Sequence, residues 1–196
     1  MGRPRIYDEE LRRRLILATA ESMLVEGPAS LSLRTIAASC ETSTTAIYSL
    51  FGGKDQLVAH VLEHGHESLR AALALVPHTD DPLADLTALG QAYRAWAIAH
   101  PALYQVMWAD RSPVHQYRED DPDPCEAIAP LRDGVGRAIA SGLFRDENVE
   151  EAAISIWAST HGMITLELSG FLDNSAAAER YENQLLASAW FWLNHG

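Results

Sequence analysis

The 196-residue sequence predicts an all-α protein of about nine helices. Apolar residues recur at three- and four-residue intervals along most of the chain, alanine and leucine are abundant, and no segment keeps the strict alternation of a strand. Glycines and prolines interrupt the pattern at intervals typical of helix ends. A chain of this length can form one large domain or two smaller ones, each with its own core.

Glycine, proline and capping residues divide the chain into its predicted elements. The first helix runs from about Tyr7 to Glu26 and is stopped by Gly27-Pro28. Asn148, and either Asn174 or Ser175, are well placed to cap the last two helices. The other predicted elements are helices at 32–39, 43–50, 54–76, 82–100 and 101–110, a charged and proline-rich loop at 111–124, and helices at 125–142, 148–172 and 175–195.

The net charge of -12 is distributed unevenly. Residues 1–60 hold seven basic and seven acidic side chains, whereas residues 61–196 hold eight basic and 20 acidic ones. A strongly acidic protein is a poor partner for nucleic acid, because phosphates are bound by lysine and arginine. Five of the seven N-terminal cations precede residue 15, and this asymmetry indicates a small DNA-facing module joined to an acidic body.

Several classes of protein are disfavoured by composition. No apolar run approaches the length of a membrane span, and the N-terminus lacks the apolar segment of a signal peptide, so a cytoplasmic location is predicted, without membrane contact. Cys40 and Cys125 are far apart and have no CxxC spacing. We therefore expect two reduced cysteines rather than a disulfide framework or a zinc ribbon.

The two short predicted helices have the spacing of a helix-turn-helix. Ser43 can cap the second helix and leave its N-terminus free to face a phosphate. Thr44, Thr45 and Tyr48 then project away from the core, and such short donors suit phosphate oxygens and base edges. Simple solvation is the alternative for any one of them, but the group together indicates DNA contact. The apolar positions that share one face of each helix are Leu33, Ile36, Ala37, Ala46, Ile47 and Leu50.

This region resembles the tetracycline-repressor (TetR) family of bacterial transcriptional regulators, most specifically across residues 7–62. The family pattern IAxxAGVSxxxIYxHFxxKxxL is matched at the same spacing by Ile36, Ala37, Ser43, Ile47, Tyr48, Phe51, Lys54 and Leu57. The resemblance implies that Tyr48 and Lys54 contact the DNA backbone, that Thr44 and Thr45 face the groove, and that Phe51 anchors the module. The DNA-binding set expected on this basis is Arg3, Arg5, Ser32, Arg34, Thr42, Ser43, Thr44, Thr45, Tyr48 and Lys54.

The sequence departs from the family pattern in the turn and near the end of the second helix. Glu41 stands where the family usually has glycine, and Leu50 replaces a common histidine. If the backbone at residue 41 is left-handed, a non-glycine residue costs about 1 kcal/mol there. Its carboxylate would also lie close to DNA phosphates, so this position bears on how the module docks.

The second half of the chain resembles a C-terminal domain of the same family named for its Trp-His-Gly motif, here Trp157, His161 and Gly162, over about residues 80–195. Together with Ile164, Leu168 and Phe171, the Trp and His form one helical stripe that is expected to face a core or a pocket. Glycine costs about 1 kcal/mol within a helix, so close approach by another helix is expected at Gly162.

A pocket between these helices could bind a largely apolar small-molecule effector, with His161 as a polar handle. The alternative for the same aromatic and sulfur-containing side chains is ordinary core packing. Glu167 receives no role. The candidate effector-binding residues are Tyr93, Trp96, Met107, Trp108, Trp157 and His161.

Metal binding and catalysis find little support. His60 and His64 have the i, i+4 spacing of a chelating pair, but no glutamate occupies the position of a zinc-protease base, and they are expected to be solvated like His66. The sequence has no GxSxG, P-loop or GxGxxG motif. We therefore expect no metal, no cofactor and no enzyme activity.

Together these observations predict a transcriptional repressor with a DNA-binding domain at 1–53 and an effector-binding and dimerisation domain at 54–196. A homodimer would bind a palindromic operator, and the effector would weaken that binding. The resemblance implies pairing through the last two helices, where Trp190, Phe191 and Trp192 supply aromatic surface, although packing within one subunit is the alternative. The competing hypothesis is a helical small-molecule-binding protein or enzyme that does not read DNA.

Overall fold

The computed structural model describes residues 5–108, 128–145, 148–172 and 177–193. Within these ranges the all-α prediction is confirmed, with nine α-helices, a short 3₁₀ turn at Pro28–Ser30 and an isolated bridge between Phe144 and Leu193. None of the helices in this part of the chain is long and apolar enough to cross a membrane. The helices are α1 (Arg5–Glu26), α2 (Leu33–Ser39), α3 (Thr44–Phe51), α4 (Lys54–Leu73), α5 (Pro82–Ala99), α6 (Pro101–Trp108), α7 (Ala129–Ala140), α8 (Val149–Leu168) and α9 (Ala177–Trp190).

Local sequence signals set the helix ends. Gly27 follows α1 with a φ of 76°, a backbone conformation that favours glycine. Ser43 lies just before α3, where its Oγ accepts a hydrogen bond from the Ala46 N–H at 3.2 Å. Asn148 caps α8 in the same way, through a 2.9 Å bond from the Glu150 N–H. The predicted caps at Ser43 and Asn148 are therefore confirmed, whereas Asn174 and Ser175 lie outside the described residues.

The chain forms two compact units. The first unit contains α1 to α3, α4 as far as Glu67, and α6. Its core includes Leu15 and Ala20 of α1, both fully buried, and α1 packs against α2 and α6. Gly65 of α4 permits close contact with α6, because a Cβ there would lie 2.5 Å from Met107 Sδ.

The cysteines and the charged loop are only partly covered by the described residues. Cys40 is buried in the turn after α2 and is a free thiol, as expected. Cys125 and the loop predicted at 111–124 lie outside the described residues.

The second unit contains the end of α4 from Ser68, together with α5, α7, α8 and α9. Two contacts fasten α9 to α5 at Gly90. The Tyr181 hydroxyl donates to the Gly90 carbonyl at 2.8 Å, and a Cβ on Gly90 would lie only 2.6 Å from Leu185 Cδ2. The predicted boundary between a DNA-binding domain at 1–53 and an effector-binding domain at 54–196 is a statement about function, and it stays a prediction.

A buried carboxylate joins α5 to α7 in the second unit. The Thr79 N–H donates to Asp85 Oδ2 at 2.9 Å, the Thr79 hydroxyl donates to Oδ1 at 2.7 Å, and Arg137 Nη1 donates to Oδ2 at 2.7 Å. The two bonds from Thr79, followed by the bond from Arg137, lower the pKa of Asp85 to about 2.

The structure corrects three expectations about α8 and the residues that follow it. The buried face of α8 runs through Ala153, Ile156, Thr160 and Ile164, so Ile164 is the one member of the predicted stripe that is fully buried, while Trp157, His161 and Leu168 are half-buried. Phe171 lies beyond the helix end and is 80% exposed. Gly162 is exposed, and an added Cβ would meet nothing within 4 Å, so no helix described in this chain approaches it.

Candidate DNA-binding surface and effector cavity

The turn between α2 and α3 is closed by backbone hydrogen bonds. The Thr42 N–H donates to the Ala37 carbonyl at 2.9 Å and the Glu41 N–H donates to the Ala38 carbonyl at 3.1 Å. These are the two bonds of a Schellman motif, which requires a left-handed residue after the helix. Glu41 fills that position with a φ of 52°, which makes it the one non-glycine residue with positive φ in the described ranges.

The outer face of α3 carries a row of polar side chains. Ile47 and Phe51 are buried, while Tyr48 is 58% exposed and Thr45 and Ser49 are also exposed. The spacing of the last three, i, i+3 and i+4, puts them on one face. The sequence analysis did not include Ser49, although the same spacing from Thr45 identifies it.

Two arginines of α1 form hydrogen bonds to backbone carbonyls of the helix-turn-helix. Arg12 Nη1 donates to the Leu50 carbonyl at 2.9 Å, and its guanidinium lies 4.8 Å from the centre of the Phe51 ring. Arg14 donates to the carbonyl of Cys40 in the turn. These two cations thus position α3 and the turn through bonds to backbone carbonyls, although Arg12 is half-buried and Arg14 is exposed.

This arrangement revises the charge argument. Arg12, Arg13 and Arg14 count among the five cations that precede residue 15, yet Arg12 and Arg14 bond to backbone carbonyls and Arg13 bonds to Glu10 at 3.1 Å. Arg13 is thus offset by a carboxylate, whereas Arg12 and Arg14 keep their charge but share donors with neutral carbonyls. Arg3 and the side chain of Arg5 lie outside the described residues.

The remaining predicted DNA-binding residues surround the same surface. Ser32 caps α2 by accepting a bond from the Thr35 N–H at 3.3 Å, and Arg34 on α2 is exposed. Lys54 Nζ donates to the Ala29 carbonyl at 3.1 Å, and its ammonium has three donors to share. Two further residues of the predicted DNA-binding set, Thr42 and Thr44, are half-buried.

The histidines of α4 are more engaged than expected. Arg12 donates to the His60 ring at 3.1 Å, and His60 Nδ1 lies 2.9 Å from Glu63 Oε2. His66 is only 8% exposed, so the expectation that it is solvated is wrong. Burial lowers the pKa of His64, although Glu67 opposes that shift. Among the described residues, no group of three or more histidine, cysteine or acidic side chains could hold a metal ion.

The second unit holds an apolar cavity of about 30 Å³, enough for about two water molecules. It lies among five helices, so residues from distant parts of the chain meet there. Tyr93 and Trp157 are the two predicted effector-binding residues that line it. The full lining is Leu69, Leu73, Leu86, Leu89, Gly90, Tyr93, Ile128, Leu131, Ile156, Trp157, Thr160 and Leu185.

A chain of polar contacts joins α5 and α8 at the edge of this cavity. Trp157 Nε1 donates to the Tyr93 hydroxyl at 3.4 Å, and that hydroxyl lies 3.1 Å from His161 Nδ1. Burial lowers the pKa of His161, which favours the neutral ring. A neutral imidazole can accept the Tyr93 proton, so the three side chains form a consistent donor sequence.

The other predicted effector-binding residues lie elsewhere. Trp96 is buried and donates from Nε1 to Ser68 Oγ at 2.9 Å, and it is not part of the lining. Met107 and Trp108 belong to the first unit, where Trp108 lies edge-on to His66 with ring centres 5.9 Å apart. The structure brings Tyr93, Trp157 and His161 together. Trp96, Met107 and Trp108 lie apart from that group.

Arg94 and Glu167 form a pair that the sequence analysis missed. Arg94 Nε donates to Glu167 Oε2 at 2.8 Å, and only 7% of the Glu167 side chain is exposed. Arg94 also lies 5.7 Å from the centre of the Tyr181 ring, so it joins α5 to both α8 and α9. No local signal could have found the pair, because the residues are 73 positions apart.

Comparison with known proteins identifies the family. The family described as "Bacterial regulatory proteins, tetR family" matches residues 15–61, and the one described as "Tetracyclin repressor-like, C-terminal domain" matches residues 86–188. The second match alone covers more than half of the chain. It includes most of the cavity lining, and the first match includes the whole helix-turn-helix.

Individual relatives agree with this assignment. The HTH-type transcriptional regulator Rv1816 of Mycobacterium tuberculosis is 24% identical over 205 residues, which covers 87% of this chain and 86% of that protein. The TetR family transcriptional regulator PfmR from Thermus thermophilus is 20% identical, with a TM-score of 0.69 over 89% of this chain and 97% of that one. A TetR family transcription regulator from Marinobacter aquaeolei VT8 is 16% identical, with a TM-score of 0.76 over 94% and 98%. The alternative of a helical binding protein or enzyme that does not read DNA is thereby excluded: the chain belongs to the tetracycline-repressor family and is a DNA-binding transcriptional regulator.

Proposed function

We propose that the protein is a homodimeric repressor that binds a palindromic operator and releases it when a small, largely apolar effector occupies the cavity of the second unit. The C-terminal domain is of the Trp-His-Gly type, and the protein acts in the cytoplasm, where bacterial DNA is found. The observation that carries the proposal is that two helices, α8 and α9, both line the cavity and expose apolar surface.

Operator contact is assigned to the exposed face of α3. Thr45, Tyr48 and Ser49 supply hydroxyl groups that can bond to base edges and phosphates, while Ser43 holds the helix N-terminus in shape. Lys54 adds a cation for the backbone. Support comes from the exposure of these side chains and from the two α1 arginines that hold the helix behind them.

Pairing of two copies is assigned to α8 and α9. Ile154 and Leu166 are 45% and 43% exposed, and Gly162 lies between them on the same side of α8, with open space around it among the described residues. Such a stripe with a small residue at its centre suits close contact with a second helix. On α9 and just beyond it, the exposed apolar residues are Leu186, Trp190 and Phe191, whereas Trp192 is buried within the chain.

Effector binding would act on the same helices. The cavity has room for only about two waters, so a larger molecule must move its walls. Trp157 and Thr160 of α8 and Leu185 of α9 belong to those walls. A shift of either helix would alter the paired surface and with it the separation of the two recognition helices, which a palindromic operator requires to be fixed.

Selection of DNA from a random pool tests the first half of the proposal. At about 100 mM salt, the wild-type protein is expected to enrich one palindromic sequence, and Tyr48→Ala with Lys54→Ala is expected to abolish that enrichment. Arg70→Ala, which removes an exposed cation from the last turn of α4, serves as the matched control. Enrichment of a sequence without two-fold symmetry would contradict the dimeric arrangement.

Sedimentation velocity tests the proposed pairing of two copies through α8 and α9. Leu166→Arg places a charge in the exposed stripe of α8 and is expected to yield monomers, because an unpaired charge is costly in an apolar interface. Leu75→Arg alters a residue that is 84% exposed and lies outside α8 and α9, so it is expected to leave dimers intact. A wild-type monomer, or equal dissociation of both variants, would refute the assignment.

A further inference from the structure

Thr160 is an unusual polar group for its surroundings. The residue is 4% exposed and lines the apolar cavity. Its hydroxyl is one of the few polar groups in a lining that is mostly aliphatic. A hydroxyl in a largely apolar wall can fix the orientation of a ligand by a hydrogen bond to the ligand's polar group.

The rest of the wall is apolar and adaptable. Most of the lining is aliphatic, with leucines from α4, α5, α7 and α9. Leucine side chains can change rotamer, so an aliphatic chain can enter between them if the walls move. The Tyr93 hydroxyl at the edge of the cavity bonds to Trp157 and His161, so these three polar groups already satisfy one another in part.

Charge selects against ionic ligands. None of the described residues that line the cavity is charged. Arg94 on α5 is paired with Glu167, and Arg132 and Arg137 on α7 are paired with Glu150 and Asp85. A carboxylate or an ammonium group buried in this cavity would therefore lack a counter-charge, which is strongly unfavourable.

We propose that the cavity binds an uncharged, mainly aliphatic molecule with a single hydrogen-bonding group, and that Thr160 receives this group. The inference rests on the proposed role of the cavity as the effector site. It adds the charge of the ligand and the residue that orients it. Fatty acids and aliphatic amines, which carry the same chain with a charge, are excluded.

Three probes with the same eight-carbon chain test the charge requirement: 1-octanol, octanoate and octylammonium. Binding is followed by the thermal midpoint and by tryptophan fluorescence, since Trp157 lines the cavity. We expect 1-octanol to bind at least about 10-fold more tightly than either ion, because each ion would be buried without a partner. Octanoate binding as tight as 1-octanol, or no binding by any probe, would overturn the inference.

Two pairs of variants locate the binding. Thr160→Val keeps the shape of the side chain and removes the hydroxyl, so it is expected to weaken 1-octanol about 2- to 10-fold while the ligand-free protein melts at the same or a higher temperature. Unchanged affinity would refute the role of Thr160. Leu131→Trp fills the cavity and is expected to abolish binding, whereas Ala140→Trp on the exposed part of the same helix is not.

These variants also separate the inference from the proposed function. If octanoate binds best and Leu131→Trp abolishes its binding, the cavity is a ligand site and only the inferred ligand class is wrong. If Leu131→Trp leaves all binding unchanged, the cavity is not the ligand site and both fail.

Discussion

Removal of the Glu167 carboxylate tests whether the Arg94–Glu167 pair holds the second unit together. The pair joins α5 to α8 through a 2.8 Å hydrogen bond, with 7% of the Glu167 side chain and 21% of the Arg94 side chain exposed. Removal of one partner from a buried pair costs about 3–5 kcal/mol. Partial hydration of Arg94 reduces that figure, so we expect Glu167→Ala to lower the free energy of unfolding by about 2–3 kcal/mol.

Urea unfolding followed by circular dichroism measures this loss. It corresponds to a fall in thermal midpoint of about 4–12 °C for a chain of this size. Glu10→Ala is the matched control, because Glu10 and Arg13 form a pair in which each side chain is more than half exposed, and little change is expected. Arg94→Met combined with Glu167→Leu is expected to recover most of the loss, since neither charge is then left alone. If Glu167→Ala costs no more than Glu10→Ala, the buried pair does not stabilise the unit.

Three further predictions concern single positions. Glu41→Gly relieves the left-handed backbone and is expected to raise the thermal midpoint by about 2–4 °C, whereas Glu41→Gln, which changes charge alone, should not. The ionised Asp85 carboxylate stabilises the fold fully above about pH 4, and this contribution is lost as the pH falls towards 2, because the pKa of Asp85 is lowered in the folded protein. Thermal melts across that range should therefore show a shallower acid dependence in Asp85→Asn than in the wild type. The same acid dependence in both proteins would contradict the prediction. Gly90→Ala forces Leu185 to move and should cost about 1–3 kcal/mol in urea unfolding, whereas Gly136→Ala, with open space around it, should be neutral or stabilising.

The sequence alone determined the helices and the DNA-binding module. Capping, hydrophobic periodicity and chain breakers act over a few residues, so they can be recognised without knowledge of distant contacts. Ser43, Asn148 and Gly27 end or begin helices where their side chains or backbone freedom predict it. The left-handed backbone at Glu41 agrees with the family pattern, which usually has glycine at this position.

Only the tertiary structure decided how residues far apart in the chain combine. Arg12 meets Leu50 across 38 positions and Arg94 meets Glu167 across 73, and no local pattern specifies such pairings. The buried face of α8 is likewise set by its neighbours, which is why Thr160 lies in the cavity wall although the sequence pattern favours the adjacent stripe. Periodicity predicts that a helix has a buried face, but the packing of five helices determines which residues line a cavity.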